Sequence, residues 1–400
     1  MDTEKSILNA LLEKRWLRGV LLIFGLFILL FALSFPFPVH VIPPFFKALD
    51  AIFVPLATFI STHILKTDLA FQPGFISDGF LLYVHVVVLL ILAITVGYFL
   101  RNMQFKWLKV FALIAATAAS YYLAYHLLGY GFNKLFKWQF PMPEPNLVYT
   151  ELGQLSPDVL FWSAIGSSYG YTVVAGCFEI IAGTLLLFRK TRWIGALLAV
   201  AIMSSIVLIN VGFGISVKVF SMFLLLCACF VLLPYAIWMY RLVLNNQRFV
   251  LDLFFQRTIL RSIAKALLLI VMLLDVTWIY VDSGNYNDDA FPRSELHGAY
   301  EVAFDSSDWD FEPERMFITR SGFLILEDDK KHRQNISFIV DRSNRLIQLT
   351  IDDVAILYEY NVTDSSLVLR SNDQVKLMLK RLPYKSLPIF NFDWRWQVEE

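Results

Sequence analysis

Long apolar runs alternate with short polar segments over the first two thirds of the chain. A helix needs about 20 residues to cross the hydrocarbon core of a bilayer, and several of these runs reach that length. We therefore predict about seven membrane-spanning helices, near residues 17–36, 78–100, 107–128, 169–188, 193–213, 217–240 and 259–281.

Basic residues cluster in alternate connections between the predicted spans. They precede the first span and also lie between the second and third, the fourth and fifth, and the sixth and seventh: Lys14, Arg15, Arg18, Arg101, Lys106, Lys109, Arg189, Lys190, Arg192, Arg241, Arg248, Arg257 and Arg261. All of these connections fall on one side of the membrane. Because basic connections remain in the cytoplasm, the N-terminus is predicted inside and the C-terminal region outside.

Two shorter stretches on the predicted outer side have helical character. The stretch 43–65 is moderately apolar and is interrupted by Lys47 and Asp50, which favours an interfacial or re-entrant helix over a full span. Ser156 followed by proline is typical of a helix start, so a short helix is predicted at 158–165. Both stretches are expected to cover the outer mouth of the helical bundle.

The pattern changes near residue 282, where a polar linker leads into a region without another run of spanning length. Short β patterns separated by turn residues follow, and residues 375–380 alternate as in a half-buried strand. We predict a membrane domain at 1–282 and an extracytoplasmic all-β domain at 283–400, an up-and-down barrel or sandwich. Its predicted strands are 316–319, 323–326, 336–340, 346–351, 355–362, 367–370 and 375–379.

One strand face of the β domain carries Ile356, Tyr358 and Tyr360. This face either lines an interior that holds a small apolar ligand or forms ordinary core. The aromatic segment 390–397 either closes one end of a barrel or lies on the bilayer surface.

The composition agrees with a polytopic membrane protein, because 57% of the 400 residues are hydrophobic and only 17% are charged. There are 34 basic residues (lysine and arginine) and 34 acidic residues (aspartate and glutamate). This balance of charge argues against a nucleic-acid-binding protein. Cys177, Cys227 and Cys229 lie inside apolar runs without metal-ligand spacing. No metal site is predicted.

The candidate chemistry begins at the outer end of the third span. Tyr130, Asn133, Lys134 and Lys137 recur at spacings of three and four, so they share one helix face at a predicted membrane boundary. Tyrosine and lysine at such a boundary either anchor the helix at the headgroups or form part of a ligand site. Both interpretations stay open.

Glu179 lies midway along the fourth span, where an ionised carboxylate is costly unless it is paired or protonated. Gly176 and Gly183 share its helix face and allow a neighbouring helix to approach closely. Glu179 is therefore either a ligand-binding or proton-relay residue or a polar residue that fixes helix packing. Its expected partners are residues near the outer ends of adjacent spans, Lys134, Tyr130, Asn210 and Lys218.

His85 and His126 fall at similar depth in the second and third spans. Two imidazoles on facing helices could ligate a b-type haem or contact a quinone ring. The alternative is that each histidine only packs within an aromatic-rich helix.

Three stretches carry a family resemblance. They are LGYGFNKLF at 128–136 with QFP at 139–141, SYGYTVVAGCFEIIAGTLLLFRKTRWIGALL from Ser168, and VLINVGFGISVKVFSMFLLL from Val207. Through them, residues 107–244 resemble the DoxX-like integral membrane family, which implies a four-helix bundle core and a quinone-linked role. The longer arrangement looks like a group of bacterial membrane proteins, which implies the cytoplasmic (inner) membrane.

These features together predict a non-catalytic integral membrane subunit without a resident cofactor. It is expected to present an outward-facing polar pocket capped by the β domain. The alternatives are a membrane component of a quinone-linked oxidoreductase and a small-molecule transporter. The expected partners are the lipid bilayer and a membrane or periplasmic protein that binds residues 283–400, with no nucleic acid.

Overall fold

The computed structural model describes residues 15–35, 51–52, 54–66, 77–244, 258–307, 311–351, 354–372 and 374–390. The helices, in chain order, are α1 Arg15–Ser34, α2 Val54–Ile64, α3 Phe80–Phe99, α4 Phe105–Leu135, α5 Pro145–Val148, α6 Pro157–Ser167, α7 Tyr169–Leu187, α8 Arg192–Gly212, α9 Lys218–Leu244 and α10 Ile259–Ser283. The strands are β1 Gly298–Asp305, β2 Arg315–Ile318, β3 Phe323–Glu327, β4 Arg333–Asp341, β5 Leu346–Ile351, β6 Val354–Val362, β7 Ser366–Ser371 and β8 Gln374–Arg381.

Among the described residues, six helices are long and apolar enough to cross a membrane, which agrees with the predicted class of membrane protein. They are Trp16–Ser34, Phe80–Asn102, Phe105–Leu135, Tyr169–Leu187, Arg192–Gly212 and Lys218–Tyr240. The predicted seventh span coincides with α10, which carries charged residues at both ends and is not among these six. Its role as a span stays a prediction.

Many apolar side chains of these helices face outward. On α3, Val87 and Ile91 are more than half exposed and Phe99 is 76% exposed, while Leu208 of α8 is 73% exposed. A soluble protein rarely exposes continuous apolar surface of this kind. In a bilayer the same surface contacts lipid tails, so the exposure pattern supports a membrane environment.

Two compact units divide the chain. The first comprises residues 1–135 and 174–284, and the second comprises 136–173 and 285–400. The second unit therefore includes residues 136–173, which the sequence predicts as part of the membrane domain. The physical reason is direct packing within this unit, where the Tyr149 ring stacks on Phe317 of β2 with centroids 6.0 Å apart.

The core of the first unit lies where α4 packs against α1 and α9. Small residues of α4, among them Ala115 and Ala119, are fully buried and let the neighbouring backbones approach. The rings of Phe31 and Phe223 stack with centroids 4.0 Å apart and join α1 to α9. This packing places much of α4 inside the unit, and α4 carries four of the predicted site residues, His126, Tyr130, Asn133 and Lys134.

The second unit contains a closed barrel in which each strand pairs with the next and β1 pairs with β8, all antiparallel. This confirms the predicted up-and-down β domain as a barrel. Tyr358 and Tyr360 point into an interior filled by leucine, isoleucine and tyrosine side chains, and Ile356 packs against the same cluster. The predicted face is therefore core in this structure.

The shorter predictions have mixed outcomes. A helix does begin at Pro157, although Ser156 makes no capping side-chain hydrogen bond to it. The stretch 43–65 is helical over Val54–Ile64, and residues 43–50 lie outside the described part. The aromatic segment 390–397 also lies outside it, apart from Phe390.

Candidate functional site

Lys134 of α4 and Glu179 of α7 form a buried ion pair in the first unit. The Lys134 ammonium lies 3.0 Å and 2.9 Å from the two carboxylate oxygens of Glu179. The side chains are only 9% and 3% exposed. Since each charge compensates the other, neither is left alone in an apolar setting.

The ion pair is possible because glycines bring α4 and α7 together. A Cβ added to Gly176 would lie 2.7 Å from the carbonyl oxygen of Gly131, and one added to Gly131 would lie 2.8 Å from the carbonyl oxygen of Gly176. These are backbone atoms, so a change of rotamer cannot relieve the contact. A Cβ added to Gly183, two turns further along α7, would lie 3.0 Å from the carbonyl oxygen of Ala124 in α4.

We expect Gly176→Ala to destabilise the first unit by about 1 to 3 kcal/mol, because overpacking at a helix contact forces the backbones apart. Gly129→Ala is the matched control, since a Cβ at that position meets nothing within 4 Å. Unfolding of the full chain in mixed micelles by added sodium dodecyl sulfate measures the difference. Equal stability of the two variants would contradict the close helix contact.

The other residues of the predicted face contact different partners. The Tyr130 ring lies 5.7 Å from the Lys134 ammonium, so it borders the ion pair. Asn133 instead accepts a hydrogen bond of 2.6 Å from the hydroxyl of Tyr280 on α10. Tyr125, about two turns earlier in α4 than Asn133, donates to the carboxylate of Asp275 on the same helix α10.

Asn210 and Lys218 are expected partners of Glu179, but the structure gives them others. Asn210 donates to the Ser221 hydroxyl at 3.1 Å, and the Lys218 ammonium lies 3.7 Å from Asp78. Asp78 also accepts the backbone N–H groups of Lys218 and Val219, at 2.7 and 3.0 Å, where α9 begins. Asp78 is not among the residues predicted from the sequence. An acidic residue directly before an apolar run is the signal that could have identified it.

His85 and His126 are connected through phenylalanine rings. The His85 ring lies 5.7 Å from Phe35, Phe35 lies 6.4 Å from Phe220, and Phe220 lies 5.0 Å from His126. A haem or quinone contact of the two histidines stays a prediction. Within the described ranges, no group of three or more histidine, cysteine, aspartate and glutamate side chains could hold a metal ion.

Lys137, the last residue of the predicted face, belongs to the second unit. Its ammonium is fully buried, donates to the carbonyl oxygen of Gly166 at 2.8 Å and lies 3.6 Å from Asp289. Burial lowers the pKa of Lys137, and the nearby Asp289 carboxylate opposes this shift. Burial likewise raises the pKa of Asp289, opposed by a hydrogen bond from the Met142 N–H.

A charged network in the second unit was not predicted. Arg320, in the turn between β2 and β3, donates to the carboxylates of Glu144 and Asp288 and to the carbonyl oxygen of Met142, the last at 3.0 Å. His297 Nε2 lies 3.0 Å from Glu144. Burial raises the pKa of Glu144, but hydrogen bonds from His297 and Arg320 outweigh it and hold the value at about 2.

A curated relative supplies the family. The uncharacterized protein YwoB of Bacillus subtilis (strain 168) is 33% identical over 120 residues, which are 30% of this chain and 73% of YwoB. The chain belongs to the YwoB family. No family model and no solved structure matches it. The relationship to YwoB carries no connection to DoxX proteins, so the DoxX resemblance stays a prediction.

Proposed function

We propose that this protein is a non-catalytic membrane subunit whose barrel binds a partner protein. The observation that carries the proposal is the distribution of apolar side chains on the barrel. The interior is filled by the barrel's own residues, while Ile339 of β4 and Leu357 of β6 are 69% and 53% exposed on its outer surface. A filled barrel that exposes large apolar residues is suited to binding another protein on its outside.

Ile339 and Leu357 lie in one row across three strands, on either side of Gln348. Ile339 pairs with Gln348 of β5, and Gln348 pairs with Leu357, so all three project from the same outer face. Another part of the outer surface is already covered within the unit. There Arg333 of β4 donates to the Thr150 hydroxyl at 2.6 Å, and Tyr149 covers Phe317. The row on β4–β6 is therefore the surface proposed for the partner.

The residues of the first unit support a structural role rather than a catalytic one. Lys134 is paired with Glu179, Asn133 with Tyr280, Asn210 with Ser221 and Lys218 with Asp78. Such pairs stabilise helix contacts. We accordingly propose that these residues pack the helices, in place of the polar pocket that the sequence suggests.

Photo-crosslinking in native membranes tests the partner surface. A photoreactive phenylalanine analogue at position 357 or 339 should give one discrete crosslinked protein band. The matched control is position 330, an exposed lysine in the turn between β3 and β4. Absence of a band at 339 and 357, or the same band at 330, would argue against this surface.

Quinone-linked electron transfer is the second candidate, and one observation favours it. In the described part of the chain, Nε2 of His126 is buried without a hydrogen-bond partner. The rings of Tyr122, Tyr125 and Phe220 surround it, with centroids 4.5, 5.1 and 5.0 Å away. An imidazole nitrogen among aromatic rings could donate to a quinone carbonyl.

This candidate predicts that quinone co-purifies with the protein from a mild detergent. Mass spectrometry of the lipid extract should then detect quinone at close to one molecule per chain, and His126→Leu should abolish it. An absorption spectrum of the same sample would show any haem. A quinone-free wild-type protein would eliminate this candidate.

A further inference from the structure

A cavity of about 640 Å³ lies in the first unit, at the end of α7. Its walls are the end of α7, the loop that leads into α8 and the first turns of α10. A space of this size falls within the range of about 300–1,000 Å³ that small-molecule sites occupy. It is much larger than a single inorganic ion requires.

The charge of this cavity is uniformly positive. Arg189 and Lys190 line it from the loop, Arg261 and Lys265 line it from α10, and none of the described lining residues is acidic. Four basic side chains around one space create a positive potential that favours an anion. Two helices, α8 and α10, also begin at this cavity, and the N-terminal end of a helix favours negative charge.

Local contacts hold part of the cavity in place. Lys265 donates to the carbonyl oxygen of Leu187 at 2.6 Å, and its ammonium lies 4.9 Å from the Phe188 ring. The Thr191 hydroxyl donates to the carbonyl oxygen of Leu185 at 2.9 Å. These bonds fix the loop and the start of α10 on the end of α7, while Lys190 and Arg261 remain exposed.

The location of the cavity indicates which anion it binds. It lies where the candidate spans α7 and α8 meet, at the end that the predicted topology places level with the lipid headgroups on the cytoplasmic side. The lining also includes Leu185 and Phe188, which are apolar. Basic pockets between helix ends at a membrane surface suit phosphate-bearing headgroups.

We propose that this cavity binds the phosphate of an anionic phospholipid. Arg189, Lys190, Arg261 and Lys265 surround the phosphate, and Leu185 and Phe188 contact the first carbons of the acyl chains. The proposal does not depend on the partner surface of the barrel. Free inorganic phosphate shares the same chemistry, so the test must separate the two sources.

Native mass spectrometry of the full chain in a neutral detergent provides the test, with phosphatidylglycerol, phosphatidylcholine or inorganic phosphate added separately. We expect the wild-type protein to bind phosphatidylglycerol at least about tenfold more tightly than phosphatidylcholine. The variant Lys190→Gln/Arg261→Gln should lose about 10- to 30-fold of the phosphatidylglycerol affinity, as expected for two basic residues at a headgroup.

A charge-matched control is the variant Arg101→Gln/Lys106→Gln, which removes one exposed basic residue just after α3 and another from the first turn of α4. It should keep the wild-type affinity within about twofold. An equal loss of phosphatidylglycerol affinity in both variants would overturn the proposal, because it would indicate general attraction to a basic surface. A wild-type protein that bound phosphatidylglycerol no more tightly than phosphatidylcholine would also overturn it. If millimolar inorganic phosphate displaced the lipid, the site would bind free phosphate and the proposal of a lipid headgroup would be wrong.

Discussion

Replacing Arg320 with methionine should destabilise the barrel unit by about 2 to 4 kcal/mol, less than for a fully buried ion pair because the Arg320 side chain is 22% exposed. Arg320 donates to both Glu144 and Asp288, and its own backbone N–H donates to Glu144 at 3.0 Å. Without the guanidinium, Glu144 loses one cationic partner and Asp288 is left with Arg293, which lies 3.1 Å away. Arg320→Lys should lose less, since an ammonium can still compensate one carboxylate but cannot donate to both in the same geometry.

Native-state proteolysis of the full chain measures this change, because cleavage within residues 298–381 reports opening of the barrel. Arg342→Met serves as the control, since Arg342 is exposed in the turn between β4 and β5. Its effect should stay within about 0.5 kcal/mol. If the two variants were cleaved at the same rate, the network would have no role in holding the barrel unit together.

The same network should make the barrel unit sensitive to acid. The folded-state pKa of Glu144 is about 2, below its ordinary value of 4.5, so the ionised carboxylate stabilises the fold fully above about pH 4.5. That contribution, about 3 kcal/mol, is lost as the pH falls from 4.5 towards 2. Glu144→Gln should remove this acid dependence, and proteolysis at pH 6 and pH 3 compares the two proteins.

Local patterns in the sequence predict the elements of this fold better than their arrangement. The apolar runs coincide with long helices because a segment in lipid must satisfy its backbone hydrogen bonds internally. The β patterns likewise coincide with β2 to β8. The first strand, β1, was missed, although Tyr300 and Val302 point inward and alternate with Glu301, which is a readable signal.

Closure of the barrel depends on contacts that no local pattern contains. The choice between barrel and sandwich rests on the pairing of β1 with β8, for example Glu301 with Lys380. The assignment of residues 136–173 to the second unit depends on contacts such as that of Glu144 with Arg320, 176 positions apart. Only the folded chain brings such residues together.

In the candidate site, local sequence patterns likewise do not predict which side chains contact each other. The cost of burying an ionised carboxylate in a membrane span predicts that Glu179 needs a partner. The sequence offers four candidates for that partner. The structure pairs Glu179 with Lys134, because Gly131 and Gly176 let α4 and α7 approach. The partner of Lys218 is Asp78, which lies 140 positions earlier in the chain and has no local pattern that connects the two.

Removing either member of the Lys134–Glu179 pair should destabilise the first unit by about 3 to 5 kcal/mol, because each single change leaves a buried charge without its partner. Glu179→Gln and Lys134→Met are the single variants. In the double variant Lys134→Met/Glu179→Met no charge remains, and the two methionines occupy similar volume. Its stability should therefore return to within about 1 to 2 kcal/mol of the wild type.

Unfolding by sodium dodecyl sulfate in mixed micelles measures all four proteins. Glu151→Gln makes the same chemical change at an exposed position of the second unit and should have little effect. A double variant that loses as much as both single variants combined would show that the two residues do not stabilise each other. A Glu179→Gln protein as stable as the wild type would instead favour a ligand or proton-relay role, since the carboxylate would then contribute nothing to packing. The packing role that we propose predicts a large coupling energy between positions 134 and 179.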